Sequence, residues 1–214
     1  MASLRSALVL AGVALALTLG VPRPAQADAD ERAVPDELRL AEGQTVTYPQ
    51  TLYRRSKRYI GGVTYTVVNA SAEELTQLLS DPAAYTQVLP HARAATLVGK
   101  VGEDQLVEIS QGNSLIQTAY TLRLRPDEGG RRVRFWLDRS RAHGIDDAWG
   151  YFRVQPLEAN ADGSPRVLLS YGILVDLGPG LMRDFFESRI QASMLSVPER
   201  LRQYASIRFR GHRA

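Results

Sequence analysis

The chain contains no cysteine. Disulfides, thiolate nucleophiles and Cys-ligated metal centres are therefore excluded, and in any compartment the fold must rest on its own core. Histidine is scarce too. His91, His143 and His212 stand far apart, with no H-x-x-x-H pair, so no zinc site is expected. G-x-G-x-x-G, P-loop and G-x-S-x-G patterns are all missing, which removes the common nucleotide-binding and serine-hydrolase readings. Lysine is confined to Lys57 and Lys100, so nearly all of the 26 basic residues are arginines. They face 23 acidic residues, leaving a formal charge of only +3. No nucleic-acid partner is expected from such a balance, and no cofactor is implied.

The first segment reads as an address rather than as structure. Arg5 is a positive n-region, Ala7 to Val21 is apolar apart from Thr18 and two glycines, and Ala25-Gln26-Ala27 is an A-x-A cleavage site. The apolar run is about 15 residues, short of the roughly 20 that a spanning helix needs. The expectation is a signal peptide over 1–27, cleavage after Ala27 and a periplasmic or secreted product; an uncleaved anchor is the alternative. Arg5 and Arg23 would leave with it, removing two of the three net positive charges. Residues 28–57 read as an N-terminal extension or linker, 58–206 as one domain and 207–214 as a tail. The product is expected to be a monomer. Arg54, Arg55, Lys57 and Arg58 stand beside Tyr53 and Tyr59. This cluster could touch anionic lipid headgroups transiently, or simply be a solvated approach to the first strand.

Val63, Tyr65 and Val67 alternate with Thr64, Thr66 and Val68, the period of a strand. Gly61-Gly62 before them suggests a bulge. Ser71-x-x-Glu74 is a capping box, and Leu75, Leu78 and Leu79 give the following helix one apolar face. Asp81-Pro82 ends it and opens a second short helical turn near Ala83–Val88. Six strand-like runs follow: Ala94–Val101, Gln105–Gln111, Ile116–Arg125, Arg132–Arg139, Ala148–Leu157 and Arg166–Leu177. Their short connections predict an antiparallel meander with one apolar and one Arg-rich face. Trp136 falls on the Arg-rich face, placed to stack on a neighbouring arginine or to meet a partner. From Gly180 to Tyr204, Met182, Phe186, Ile190, Met194, Val197 and Leu201 form a helical stripe, which Pro198 should kink or divide.

This order, with Val67-Val68-Asn69-Ala70-Ser71-Ala72-Glu73-Glu74-Leu75, Leu78-Leu79-Ser80-Asp81, Tyr85, Leu89-Pro90 and the closing Leu195-Ser196-Val197-Pro198-Glu199-Arg200-Leu201, resembles the START-like or helix-grip superfamily. Within it the chain is most similar to the polyketide-cyclase/dehydrase and coenzyme-Q-binding (Coq10-like) branch. The resemblance spans about Tyr59 to Tyr204. It implies an α+β fold in which a curved antiparallel sheet of about seven strands wraps around a long C-terminal helix, with two short helices after the first strand. It also implies a hydrophobic small-molecule ligand: a lipid, a quinone, or a sterol-like or polyketide-derived compound.

A strongly curved sheet and one helix leave space that side chains do not fill. The inward residues would be Tyr120, Leu122, Leu124, Val133, Phe135, Leu137, Tyr171, Ile173 and Val175, with Phe186, Ile190 and Met194 from the helix. The same residues could instead form a closed core. For catalysis the compact candidate is His143 as a base with Asp146 or Asp147 orienting it, and with Tyr120, Tyr151 or Tyr171 as donors to an enolate oxygen in a cyclase or dehydratase. Gly144 and the two Asp equally suit an exposed loop. His91 follows Leu89-Pro90 near a possible pocket mouth. An envelope interaction module, using Arg54–Arg58 or the Trp136 face, is the third reading.

Overall fold

The computed structural model describes residues 36–112, 117–127 and 129–209, and the backbone alone for 181–184. A helical turn α1 (36–41) leads into β1 (Val46–Arg54) and β2 (Lys57–Val68). Next come α2 (Ala72–Leu79), a 3-10 turn (Pro82–Ala84) and α3 (Tyr85–Val88). The strands β3 (Ala92–Val101), β4 (Asp104–Gly112), β5 (Gln117–Pro126), β6 (Arg132–Leu137), β7 (Asp147–Pro156) and β8 (Val167–Asp176) complete the sheet. Two helices close the described chain, α4 (Leu181–Leu195) and α5 (Val197–Arg208). The sheet order is β1-β2-β8-β7-β6-β5-β4-β3, and every pairing is antiparallel. This is a helix-grip α+β architecture.

The sheet has eight strands, not about seven. The extra one is β1, inside the segment read as extension or linker. It pairs with β2 from Val46↔Tyr65 to Arg54↔Lys57. Only Val46 is buried along it, so its sequence carries no alternation to betray it. As an edge strand it also tolerates Pro49, which would break a central ladder. The residues just before it are docked as well. Thr45 Oγ1 donates to Glu199 Oε2 at 2.8 Å, and Arg202 donates to the Gly43 carbonyl. Residues 28–35 and 210–214, with the proposed signal segment, lie outside the described part.

Gly61 and Gly62 do not form a bulge; the register runs through them unbroken on both sides. They allow close approach instead. A Cβ on Gly61 would sit 1.9 Å from the Ile173 carbonyl oxygen, and one on Gly62 2.1 Å from that of Tyr48. Their φ values of 154° and 144° suit glycine alone.

The capping box forms as read: Ser71 Oγ accepts from Glu74 N at 3.1 Å, and Glu74 Oε2 accepts from Ser71 N at 2.7 Å. Pro198 divides the C-terminal helix. It stands in the first turn of α5, where a missing N–H costs nothing, and Ser196 joins the two helices. The carbonyl of Leu195 at the break accepts from the fully buried Thr64 Oγ1 at 3.1 Å. Gln191 Nε2 donates to the Gln50 and Gly61 carbonyls, each at 2.9 Å. These polar ties hold α4 along β2. On the outer face Arg125 lies over Trp136, with its guanidinium 5.4 Å from the ring centre, the stacking that the Arg-rich face suggested.

Candidate functional site

The interior has two parts. Under α2 and α3 the sheet face is closed. Leu75, Leu79, Val107, Ile109, Leu124, Val133, Leu169 and Leu201 pack there, each no more than 3% exposed. Under α4 the sheet encloses a cavity of about 420 Å³. Its wall is mainly apolar. Tyr120 and Leu122 of β5, Phe135 of β6, Ala148 of β7, and Tyr171, Ile173 and Val175 of β8 make the sheet side. Phe186, Ile190 and Met194 of α4 face them at the helical spacing of four. Leu89, Pro90 and His91 border it from the turn after α3.

Three residues expected to face a ligand do not. Leu124 and Val133 belong to the closed core beneath α2, and Leu137 packs with Ala148 and Val175 in a second small cluster. They share the inward phase of their strands with the cavity residues. For Leu124 and Val133 what differs is the element above them: side chains from α2 fill the space there, and α4 leaves it open; Leu137 is covered instead by its own cluster, against which Ile145 and Met194 pack. Val197, Ile145 and Leu177 also line the cavity.

Its polar groups are few. Gln111, Thr118, Arg189 and Ser193 border it, none of which stood out in the sequence because each interrupts an apolar pattern. Gln111 Nε2 donates to the Pro90 carbonyl at 2.9 Å, and Tyr120 donates its hydroxyl proton to Gln111 Oε1. This chain fastens the 89–91 turn to the sheet. His91 holds a left-handed φ of 56° at that turn, and its carbonyl accepts from Gly112 N at 3.0 Å. Arg189 and His91 are exposed and mark the outer end. Phe135, Ala148, Tyr171 and Val197 are buried and mark the inner end. Burial pushes the Tyr120 and Tyr171 phenols well above the ordinary tyrosine range, so both stay neutral.

The proposed acid–base group is not assembled. His143 is exposed, and its Nδ1 lies 2.8 Å from the Ile145 carbonyl oxygen. Asp147 accepts from the Tyr59 hydroxyl at 2.7 Å and pairs with Arg139. The Asp146 carboxylate lies against the Gly178 turn, where a Cβ would come within 2.7 Å of it. Each of the three is thus turned to a different neighbour. No cluster of three or more metal-ligating side chains occurs among the described residues. In the basic group Lys57 is 3.8 Å from Asp176 and Arg58 pairs with Glu187, while Arg54 and Arg55 sit at the β1–β2 turn with no ion pair among the described residues.

No protein-family model matches the sequence, and no curated protein matches it either. Solved structures do match. TTHA0849 from Thermus thermophilus is similar at a TM-score of 0.55 with 15% identity, over 71% of this chain and 98% of that one. The STAR-related lipid transfer protein (fragment 25-204) from Xanthomonas axonopodis is similar at a TM-score of 0.55 with 16% identity, over 75% of this chain and 93% of that one. At this level of identity the likeness establishes architecture: the chain has the helix-grip fold of START-like proteins.

Proposed function

We propose that this chain binds and carries a hydrophobic small molecule, held between the sheet and α4. The observation behind it is the cavity of about 420 Å³ with a mainly apolar wall, at the end of the interior under α4. Each Å² of apolar ligand surface withdrawn from water contributes roughly 25 cal/mol, so a few hundred Å² outweigh the cost of association. A lipid, quinone, sterol-like or polyketide-derived compound has the right character. The similarity to a protein described as a STAR-related lipid transfer protein points the same way.

Three further parts of the reading rest on sequence. The chain is exported, through a signal peptide ending at Ala27. It acts as a monomer. It touches membranes transiently through Arg54, Arg55, Lys57 and Arg58, of which Arg54 and Arg55 have no ion pair among the described residues, with exposed Leu52 and Tyr53 beside them. A cyclase or dehydratase using the same cavity is the second reading, and since His143 and Asp147 each bond to other neighbours it would draw on other groups of the wall.

Native mass spectrometry of the protein purified gently from its own host's periplasm tests the proposal. The expected result is a monomer beginning at Asp28 with a defined apolar mass bound, released into organic solvent. A ligand-free mass that also takes up no lipid or quinone from a panel would overturn the carrier reading.

A further inference from the structure

We infer that the cavity selects an apolar molecule bearing a carbonyl-class acceptor oxygen at its inward end, received by the Tyr171 hydroxyl. This rests on the carrier reading and goes beyond it by naming the group that the cavity reads. The argument comes from three buried or half-buried tyrosines on the same side of the sheet. Tyr85 donates its hydroxyl to the Leu79 carbonyl at 2.6 Å. Tyr120 donates to Gln111 Oε1, and Gln111 is itself oriented by the Pro90 carbonyl. Tyr171 makes no hydrogen bond among the described residues, although it is only 2% exposed and lines the cavity. With no protein acceptor for it among the described residues, the hydroxyl of this cavity-lining side chain is left to whatever occupies the cavity.

The ring of Tyr171 is held firmly. It stacks on Phe152 with centroids 4.8 Å apart and on Phe135 at 6.2 Å, and its backbone sits in register between Thr64 and Phe152. The hydroxyl therefore cannot swing away to find a protein acceptor. Burial keeps the phenol neutral, so it presents a proton at any ordinary pH. A second hydroxyl stands in the wall: Thr118 Oγ1 is buried with no hydrogen-bond partner among the described residues. The other buried residues of the wall, Phe135, Ala148, Val175 and Val197, offer carbon only. A hydrocarbon filling this end would leave the Tyr171 donor stranded, whereas a ligand oxygen placed there would satisfy it.

The test is a matched pair of probes, 2-acetylnaphthalene and 2-ethylnaphthalene. They have nearly the same shape and differ by a carbonyl in place of a methylene. Their affinities for the delipidated full-length mature protein are measured by calorimetry. The wild type should bind the ketone about tenfold more tightly, the scale of one satisfied buried donor. Tyr171→Phe, which keeps the ring and its stacking, should abolish that preference while the hydrocarbon affinity holds or rises. Equal affinity of the wild type for both probes would overturn this inference alone. A preference that survives in Tyr171→Phe would overturn the assignment to Tyr171. Failure of both probes to bind the wild type would overturn the inference together with the carrier reading. The wild-type comparison needs no variant, so a misfolded Tyr171→Phe would not rescue the idea.

Discussion

The two ends of the interior are built from the same strands and differ in what lies above them. Along β5, Leu122 borders the cavity and Leu124 is sealed in the core. Along β6, Phe135 borders the cavity and Val133 does not. Strand phase decides only that all four point inward. At the closed end α2 presents Leu75, Leu78 and Leu79, short branched side chains from a helix pinned by its capping box. At the other end α4 is held to β2 by Gln191 and by Thr64, so it lies along one side of the concave face. The lesson is that a cavity in this fold comes from how a helix is tethered rather than from any special set of wall residues.

The sharpest way to break the comparison is to cut one leucine-sized side chain at each end. Leu75→Ala at the closed end should cost about 2–5 kcal/mol, because a fully buried side chain is replaced by a void its neighbours cannot close. Ile190→Ala at the open end should cost no more than about 1 kcal/mol, since its side chain already borders empty space. Urea unfolding of the two variants checks this. Equal losses would mean that the cavity end is as tightly packed as the other.

Filling is the converse. Ile190→Trp places extra volume into the cavity from α4. It should reduce binding of any apolar ligand by roughly tenfold or more while the melting temperature stays within about 4 °C. The same change at the closed end has no room to occupy: Val133→Trp should fail to fold or melt far lower. Co-purified ligand mass and a thermal melt read both effects on one preparation.

How far these ends could be told apart from sequence follows from the same physics. The strands of the meander, the capping box and the break at Pro198 are local signals, and the structure forms them. The strand β1 left no signal, because an edge strand exposed along nearly its whole length needs no apolar alternation. Leu124, Val133 and Leu137 were inward as read, but their burial depends on α2 and on Ala148 and Val175, which are distant in sequence. The group of His143, Asp146 and Asp147 misled for the opposite reason. Neighbours in sequence are each turned to their own partner, here His143 to Ile145 and Asp147, the first residue of β7, to Arg139 and to the distant Tyr59.

A smaller effect should come from the cap of α2. Ser71→Ala removes the acceptor for Glu74 N and should cost about 1 kcal/mol. Because α2 roofs only the closed end, ligand affinity should not change. An affinity loss as large as that of Ile190→Trp would show that the two ends are coupled.

The smallest effect concerns acid. Asp138 is buried on the outer face beside the open end, where it accepts from Ser140 Oγ at 2.7 Å, from Ser140 N at 3.0 Å and from Arg123 at 3.3 Å. The Ser140 hydroxyl bond leads in holding its carboxyl below the usual aspartate range, and Arg123 adds to it. A carboxyl lowered in this way stabilises the fold fully above the unfolded value, near pH 4. That contribution fades as the pH falls through the lower folded value. Wild-type stability should therefore decline below about pH 4, and Asp138→Asn should show a shallower decline from a lower starting point. Leu75 itself sits in an apolar cluster whose packing protons do not change. Leu75→Ala should therefore lower stability by the same amount at every pH, shifting the acid profile without altering its slope. If Leu75→Ala also flattened the acid limb, the two ends would not unfold as the separate packing problems described above.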